Sequence, residues 1–572
     1  MQECILDSNP LERERGITIL SKNTAVYHGQ TKINIVDTPG HADFGGEVQR
    51  IISMVDGAIL IVDAAEGPLP QTRYVLQKAL EKKLRIIVVI NKIDRPDARV
   101  TEVIDSLLDL FIALGASEDQ LDFPLLYASA RSGVAHPDLA TALTDLKAGT
   151  GSVKPLLDAI VQEVPPPSGL AAAPLQFMVT TLDYDDYLGR VAIGRIQNGL
   201  LCAGNMVAIG RPGGKLRTVK LTNLYVFERL QRVATSQAGV GEIAAIAGFD
   251  DIVIGDTVTD PEDPQLLPPL SVDEPTLTVV FRINDSPLAG RDGTLVTSRQ
   301  LRDRLWREAR SNVALRVEET DEPDAFLVAG RGELHLGILM ETMRREGYEF
   351  TVSKPQVIMK EIDGVKCEPL EYVTIETPAE YMGTVMERLG ERRGELANMQ
   401  QLSGGAVKLE FVVPTRGLVG FGAELLTETR GYGVMHYTFH GYGSYRGLVP
   451  GRQNGSMVAW EAGAATAYAL ENMQLRGVSF VLPGDDVYEG MVIGANSRPQ
   501  DLDVNCCKRK HVTNMRSSTS DIAVKIDPPR SFTLEQSLAY IADDEWLEVT
   551  PHHLRMRKSV LSRAERVKQH HG

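Results

Sequence analysis

The chain has 572 residues, of which 43% are hydrophobic and 24% are charged, and this globular composition excludes a mostly disordered protein. The 60 lysines and arginines against 76 aspartates and glutamates give a net charge of −16, which excludes a uniformly basic nucleic-acid coat protein but not a local basic patch. The 5 cysteines are too few and too scattered for a disulfide framework, which fits a reducing cytoplasm.

The first part of the chain, to about residue 164, alternates apolar strands with helices. We predict strands at residues 33–36, 58–62, 86–90 and 124–127, and helices at 47–55, 71–82, 100–114 and 153–164. Continuous apolar strands separated by helices form a parallel sheet that is covered on both faces. Ligands of such sheets bind at the carboxyl ends of the strands.

The remainder of the chain changes pattern twice. Residues 174–257 contain short strands punctuated by glycines, which predicts a small antiparallel barrel. After a proline-rich linker at 261–275, two segments each alternate strands and helices, which predicts two split βαβ folds. The tail from residue 444 is mixed. No apolar run approaches the roughly 20 residues of a membrane span, so we expect no membrane partner.

The first chemical motif is Asp37-Thr38-Pro39-Gly40-His41, directly after the first predicted strand. A carboxylate at the end of a strand can hold a magnesium ion, usually through water. A glycine two or three residues further on brings its backbone N–H close to a terminal phosphate. Taken alone, this pattern favours an ordinary turn.

The second motif is Asn91-Lys92-Ile93-Asp94, after the strand at 86–90. The Asp94 carboxylate can accept hydrogen bonds from the N1–H and the exocyclic amine of guanine, a donor pair that adenine lacks. Asn91 can bond the purine edge, and the Lys92 stem can lie against the base. The alternative is a polar turn, but the position of the motif at the next sheet edge after Asp37 favours guanine recognition.

Two weaker patterns complete the set. Ser129 and Ala130 follow the strand at 124–127, where backbone N–H groups can bond the guanine carbonyl. Thr18 lies in the charged segment at 13–19, where its hydroxyl can ligate magnesium while its N–H contacts a γ-phosphate. The alternative for the segment at 13–19 is an exposed turn leading into a strand.

These motifs in this order, DTPGH at 37–41, NKID at 91–94 and RGITI at 15–19, resemble a translational GTPase. Four segments are similar to the third domain of the elongation factor G group: SVDEPT at 271–276, RVEET at 316–320, RGELHL at 331–336 and MRREGYEF at 343–350. Three more resemble the BipA/TypA family: PTRGLVGF at 414–421, GRQNGSM at 451–457 and DLDVNCCKRKHVTNMR at 501–516. The resemblance covers essentially the whole chain.

The resemblance implies a multidomain α/β and α+β protein that binds GTP or GDP with Mg²⁺ and hydrolyses GTP. It places a GTP-binding (G) domain with an incomplete parallel sheet at 1–168, a β-barrel at 173–267, two ferredoxin-like α+β domains at 271–362 and 363–443, and a family-specific C-terminal domain at 444–572. The two α+β domains are similar to the third and last domains of elongation factor G.

The resemblance also implies roles at the phosphate end of the nucleotide. Asp37 would bind magnesium through water, and Thr18 would ligate it directly in the GTP state. Gly40 would sense the γ-phosphate. His41 would act as the catalytic residue that positions the attacking water. At the other end, the resemblance assigns guanine recognition to Asn91, Lys92 and Asp94, assisted by Ser129 and Ala130.

The implied partner is the ribosome, through its RNA and with tRNA as a further candidate, for a monomeric cytoplasmic protein. Roles in large-subunit assembly and in stress or cold adaptation follow from the same resemblance. The candidate RNA-binding residues in the tail are Lys508, Arg509, Lys510 and Arg516. A solvated charged loop is the alternative for such a run, and the family resemblance favours RNA.

One family motif has no counterpart in these 572 residues, the phosphate loop G-x-x-x-x-G-K-[ST]. Gly214-Lys215 is followed by Leu216, and the pair predicts a hairpin turn instead. We therefore expect weak or no GTP binding by the chain as it stands, and we favour a truncated start as the reason. The alternative is a non-catalytic, ribosome-binding pseudo-GTPase.

Overall fold

The computed structural model describes residues 10–15, 18, 21–39, 45–185, 187–249, 251–268, 274–312, 314–401, 405–509 and 526–571. They fall into two compact units. The first comprises residues 1–273 with 310–314, and the second comprises residues 274–309 with 315–572. Among the described residues, no helix has both the length and the apolar character that crossing a membrane requires.

The first unit begins with a helix and a separate hairpin, namely α1 (Pro10–Arg15), β1 (Lys22–His28) and β2 (Thr31–Asp37). The two strands pair antiparallel around a two-residue turn, in which Gly29 has a φ of +61° that glycine adopts without steric cost. The expectation that residues 33–36 belong to the parallel sheet is therefore wrong. The described hydrogen-bond partner of β2 is its hairpin neighbour, and Val36 packs against a hydrophobic cluster of residues 191–247, which lies outside the parallel sheet.

The predicted parallel sheet is formed by the next segment. Its elements in chain order are α2 (Gly45–Ile52), β3 (Gly57–Asp63), α3 (Pro70–Glu81), β4 (Arg85–Asn91), α4 (Val100–Ala113), α5 (Glu118–Leu121), β5 (Leu125–Ser129), β6 (Val134–His136), α6 (Leu139–Ala148) and α7 (Lys154–Glu163). The strand order is β3-β4-β5-β6, and only the β5–β6 pair is antiparallel. Alternate residues of β4 face two hydrophobic clusters, with Val88 and Ile90 in one and Ile87 and Val89 in the other. Burial on both faces explains the continuous apolar run.

An eight-stranded antiparallel sheet completes the first unit. The strands of this segment are β7 (Gln176–Asp185), β8 (Gly189–Asn198), β9 (Leu201–Cys202), β10 (Met206–Gly210), β11 (Arg217–Lys220), β12 (Asn223–Glu228), β13 (Gln231–Ala234), β14 (Gln237–Ala238), β15 (Ile243–Ala247) and β16 (Thr257–Thr259). The sheet order runs from β11 through β10, β16, β7, β8, β15 and β12 to β13, so the described pairings do not close the expected barrel. Both end strands are four residues long, and all four residues of β13 and two of the four in β11 are exposed. The Arg211–Gly214 turn between β10 and β11 confirms the hairpin predicted there.

The second unit contains two folds of the same βαββαβ kind. Their elements are β17 (Leu277–Ile283), α8 (Ser298–Ser311), β18 (Arg316–Glu319), β19 (Ala325–Gly330), α9 (Glu333–Arg345), β20 (Phe350–Ser353), β21 (Gln356–Val357), β22 (Lys360–Ile362), β23 (Val365–Pro378), α10 (Met382–Glu391), β24 (Glu395–Gln401), β25 (Ala406–Pro414), α11 (Thr415–Leu418), α12 (Phe421–Glu428) and β26 (Val434–Ser444). The sheet orders β18-β19-β17-β20 and β24-β25-β23-β26 correspond to one another strand by strand. The predicted split βαβ architecture is confirmed in both.

The tail forms small sheets of its own and also adds strands to another sheet. Its elements are β27 (Ser456–Ala459), β28 (Gly463–Ala464), α13 (Ala467–Gln474), β29 (Gly477–Ser479), β30 (Asp486–Val487), β31 (Val492–Asn496), β32 (Leu502–Val504), α14 (Leu534–Tyr540), β33 (Glu545–Val549), β34 (Leu554–Lys558) and α15 (Arg563–His571). Strand β33 pairs with β20, with Val549 opposite Phe350, and so extends the first βαββαβ sheet by two strands. The tail was not predicted to join that sheet. The boundaries of the five domains given above remain a prediction.

Candidate functional site

The carboxyl ends of three parallel strands meet at one edge of the four-stranded sheet. The register places Asp63 at the end of β3 opposite Asn91 at the end of β4. It also places Ile90 opposite Tyr127, so Ser129 at the end of β5 lies beside the loop that follows β4. This is the edge at which open α/β sheets bind ligands.

Asn91 joins the two predicted guanine-recognition segments. Its side-chain Oδ1 accepts a hydrogen bond from the backbone N–H of Ala130 over 3.0 Å. Close by, the N–H of Ile93 donates to the carbonyl of Ala128 over 3.3 Å. The loop after β4 and the turn after β5 are therefore fixed to each other by side-chain and backbone hydrogen bonds. The Ala130 N–H, which we expected to face the guanine carbonyl, is engaged by Asn91 in this structure.

Lys92 and Asp63 form an ion pair across the neighbouring strands, with 2.8 Å between Nζ and Oδ2. Lys92 has a φ of +61°, a left-handed conformation that is uncommon for a side chain of this size and is concentrated at functional sites. The hydrogen bond to Asp63 raises the pKa of Lys92. The lysine therefore holds its charge at the sheet edge.

Asp63 was not predicted as a site residue. Burial alone would raise the pKa of its carboxyl group, but the hydrogen bond from Lys92 and the backbone N–H groups of Ala65 and Glu66 outweigh burial and lower the pKa to about 2. The two N–H groups lie 2.8 and 3.1 Å from Oδ1. A carboxylate directly after a buried strand is the same signal that drew attention to Asp37, and it would have identified Asp63.

Asp94 and Ser129 present complementary polar groups. Asp94 lies in the turn after Lys92 with its side chain exposed. Ser129 is fully buried, and its Oγ has no hydrogen-bond partner among the described protein atoms. A buried hydroxyl without a partner costs free energy unless a ligand or water satisfies it. At this edge the open Asp94 carboxylate and the exposed Lys92 side chain are the polar groups that a ligand can reach, and the acceptor pair of the carboxylate suits the donor pair of guanine.

The residues predicted at the phosphate end lie elsewhere. Asp37 ends β2 in the separate hairpin, opposite Lys22, and Thr18 lies between α1 and β1. Gly40 and His41 lie outside the described residues. The structure thus brings together Asn91, Lys92, Asp94, Ser129 and Ala130, and it places Asp37 in the separate hairpin and Thr18 in the segment before that hairpin.

A magnesium site built wholly from protein is not present in the part of the chain that the structure describes, which holds no group of three or more His, Cys, Asp or Glu side chains suited to a metal. A magnesium ion that travels with a nucleotide needs only one or two protein oxygens. Asp37 and Thr18 supply that kind of oxygen.

The candidate RNA-binding residues follow β32. Lys508 and Arg509 are exposed, and the Lys508 carbonyl accepts a hydrogen bond from the Thr466 hydroxyl over 2.6 Å. Lys510 and Arg516 lie outside the described residues. The Thr466 contact fixes the backbone from which the two exposed cations extend.

Comparison with known families accounts for most of the chain. Residues 1–166 match the elongation factor Tu GTP binding domain, 189–259 match elongation factor Tu domain 2, 365–452 match the elongation factor G C-terminus, and 454–563 match the TypA/BipA C-terminal domain.

Three relatives named large ribosomal subunit assembly factor BipA are similar over nearly the whole chain. The relative from Synechocystis sp. is 54% identical and covers 97% of this chain and 92% of its own length. Those from Bacillus subtilis (strain 168) and Escherichia coli (strain K12) are 50% and 49% identical, and each covers 99% of this chain and 92% of its own length.

A crystal structure of a protein from Thermus thermophilus shares the fold. It superposes with a TM-score of 0.51 over 77% of this chain and 91% of its own, at 16% identity. At that identity the likeness concerns the architecture alone.

Proposed function

The chain belongs to the TypA/BipA family, and from this premise we propose that it is a ribosome-associated GTPase that acts in assembly of the large ribosomal subunit. In this proposal GTP and GDP switch its affinity for the ribosome. The family models and the relatives' names support the general function, and the residues at the sheet edge support the nucleotide chemistry.

The observation that carries the proposal is the 3.0 Å hydrogen bond from the Ala130 N–H to Asn91 Oδ1. It brings the loop with Asp94 beside the turn with Ser129 and Ala130, so one flat base can contact Asp94 and the exposed Ala130. In our proposal Asp94 accepts from the two guanine donors, and adenine is rejected because it would leave the carboxylate unpaired. The Lys92 stem and the exposed Ala130 complete the contact surface, and the buried Ser129 belongs to the turn that carries Ala130.

For the phosphate end we propose that Asp37 and Thr18 hold the magnesium ion of the nucleotide. The ion would screen the charge that develops on the phosphates. Gly40 would sense the γ-phosphate, and His41 would orient the attacking water when the ribosome presses it into place. Loss of the γ-phosphate would release these loops, which is how nucleotide switches relax.

A second candidate function is a nucleotide-independent ribosome-binding module. The observation in its favour is that no phosphate-loop motif occurs in these residues. Four or five missing charge-assisted hydrogen bonds at roughly 1.5–3 kcal/mol each cost roughly 6–15 kcal/mol. A micromolar complex has only about 8 kcal/mol of binding free energy. For the chain as it stands, we therefore propose weak or absent GTP binding.

Two measurements separate these functions. Calorimetric titration of the 572-residue chain with GTP, GDP and ATP tests nucleotide binding, with Asp94→Asn as the variant that exchanges an acceptor for a donor. Sedimentation with large ribosomal subunits, with and without a non-hydrolysable GTP analogue, tests the switch. Binding to subunits that ignores the nucleotide would favour the binding module. No sedimentation with subunits under any condition would refute both functions.

A further inference from the structure

Trp460 lies on the surface of the tail with 48% of its area exposed, directly after β27. The four residues that follow it are exposed as well. Tryptophan is among the most buried residue types on average, and it combines a large apolar surface with a donor N–H. An indole ring left this open is therefore an informative feature of the surface.

The backbone around Trp460 is fixed. Strands β27 and β32 run parallel, so the segments that follow them leave the sheet side by side. The backbone N–H of Trp460 donates to the carbonyl of Val504 over 3.0 Å, and Asn505 Nδ2 donates to Glu461 Oε1 over 2.9 Å. The indole is thus carried on a backbone that is held on both sides of it, and little conformational entropy remains to be lost when a ligand contacts the ring.

An arginine already stacks on the indole. The Arg563 guanidinium carbon lies 4.3 Å from the ring centroid. Asp503 keeps Arg563 in place through a 3.0 Å contact to Nε, and it also pairs with Arg566 over 2.7 Å. A planar cation covers at most one face of a ring, and two arginines share the single charge of Asp503. Arg563 and Arg566 thus bring two positive charges to the surface beside the ring, against the carboxylates of Asp503, Glu461 and Glu489.

Two more cations lie on the same pair of segments. Lys508 and Arg509 are exposed, four and five residues after Val504, the residue that bonds Trp460. Four extended residues span at most about 14 Å. Two nearby carboxylates keep their charge but have fixed partners: Glu461 accepts from the Asn505 amide, and Glu489 accepts from the Arg563 backbone N–H over 2.7 Å.

We infer that Trp460 is a stacking platform for an unpaired base of ribosomal RNA, with Arg563 extending the stack and with Lys508 and Arg509 contacting the flanking phosphates. Proteins recognise unpaired RNA by stacking its bases on aromatic rings and arginine planes inside a positively charged surface. A double helix would hide its bases from the indole, so the partner is a single-stranded loop or bulge. The inference rests on the proposed ribosomal function and names the chemistry of its partner.

The test uses the full chain and a fluorescein-labelled, unstructured RNA of about 12 nucleotides, within the usual site size of single-strand binders. Fluorescence anisotropy gives the Kd of the wild type and of Trp460→Ala, Trp460→Phe and Leu475→Ala. Leu475 is the matched control, an apolar tail residue that is 83% exposed. Stacking of one base predicts a loss of about 5- to 150-fold for Trp460→Ala. We expect a much smaller loss for Trp460→Phe and none for Leu475→Ala.

Tryptophan fluorescence supplies a second readout that does not depend on how well the alanine variant folds. The chain has 3 tryptophans, so RNA-induced quenching that disappears in Trp460→Phe assigns the contact to this ring. Three results would each overturn the inference. They are unchanged RNA affinity in Trp460→Ala, equal losses in the alanine and phenylalanine variants, and crosslinks from position 460 to a ribosomal protein instead of RNA.

Sedimentation of the wild type with large subunits distinguishes failure of this inference from failure of the proposed ribosomal function. If the wild type sediments and Trp460→Ala matches it in RNA affinity, only the inference fails; if the wild type does not sediment, the proposed function fails.

Discussion

The Lys92 ammonium group lies 2.8 Å from the Asp63 carboxylate, which ties the loop after β4 to the end of β3. From the sequence, the only role predicted for Lys92 was packing of its aliphatic stem against the base. The structure adds a positional role, because the ion pair joins Lys92, whose φ is +61°, to the neighbouring strand. Such a residue positions the loop that carries Asp94 whether or not a nucleotide is bound.

The first prediction concerns Asp63→Asn. The pKa of Asp63 is lowered from its ordinary value of 3.8 to about 2 in the folded chain. A carboxylate with a lowered pKa contributes stability that is present above the unfolded pKa and is lost as the pH falls through the folded pKa. At pH 7 we expect Asp63→Asn to lower the free energy of local opening by about 2 kcal/mol.

Amide hydrogen exchange of the peptides that cover β3 and β4 measures this opening. The difference between wild type and variant should narrow as the pH falls from about 4 to about 2, because the wild-type carboxyl group then becomes neutral. Asp97→Asn is the control, since Asp97 is an exposed partner of Arg95. If the exchange difference between the wild type and Asp63→Asn is as large near pH 2 as at pH 4, the stabilising role of the ionised Asp63 carboxylate is contradicted.

The second prediction concerns Asn91→Ala. The variant removes the acceptor for the Ala130 N–H and should cost about 1 kcal/mol of local stability. Exchange should therefore rise in the peptide that contains Ser129 and Ala130. Asn223→Ala, which removes an amide that bonds Thr222 in the eight-stranded sheet, should leave that peptide unchanged. Equal protection in wild type and Asn91→Ala would show that the side chain does not hold the two segments together.

Local patterns predicted the elements well and their partners less well. The apolar runs at 58–62 and 86–90 became β3 and β4 with the expected parallel pairing, since burial on both faces leaves a direct trace in the sequence. The run at 33–36 was placed in the wrong sheet, because an apolar strand does not specify its neighbour. The pairing of β33 with β20 joins distant parts of the chain, and the sequence of neither strand indicates which strand it pairs with.

The site followed the same rule. Asn91 and Ser129 were predictable because strand ends of one parallel sheet must meet at one edge. The engagement of the Ala130 N–H by Asn91 and the pairing of Lys92 with Asp63 depend on side-chain geometry, which the order of residues does not determine. Asp63 could have been recognised from its position after a buried strand.

The third prediction concerns Glu545, a buried carboxylate that ties β33 to the segment before β27. It contacts Arg452 and Lys558, each over 3.0 Å, and the Ser456 hydroxyl over 2.5 Å. Burial would raise the pKa of Glu545, but the charges of Lys558 and Arg452 outweigh burial and lower the pKa to about 2. Breaking a buried pair from one side leaves charges uncompensated and costs about 3–5 kcal/mol.

We therefore expect Glu545→Gln to raise exchange in β33 and in its partner β20, and to lower the thermal midpoint of the second unit. The matched control is Glu391→Gln, whose carboxylate pairs with Arg388 at an exposed position. A surface pair is worth only about 0–1 kcal/mol, so this variant should behave like the wild type. Since the pKa of Glu545 is lowered from 4.5 to about 2, the stability that the wild-type carboxylate contributes is lost as the pH falls through this range, and the wild type and Glu545→Gln should converge in acid. Similar effects of Glu545→Gln and Glu391→Gln at neutral pH would contradict the structural role.

The fourth prediction concerns Lys508 and Arg509, whose side chains are exposed beside a fixed backbone. If they neutralise RNA phosphates, each contact releases counterions, and the logarithm of the binding constant falls with the logarithm of the salt concentration by about 0.7–0.9 per contact. The double variant Lys508→Ala/Arg509→Ala should therefore bind large ribosomal subunits more weakly at low salt, with a slope that is smaller by about 1.4–1.8. The control is Lys147→Ala/Lys154→Ala, which removes two exposed positive charges from the first unit. Each double variant removes two positive charges, so an effect of overall charge would be the same in both. A salt-dependence slope that is reduced in the tail variant alone therefore assigns the phosphate contacts to Lys508 and Arg509. Parallel slopes for both variants and the wild type would show that the tail cations face solvent.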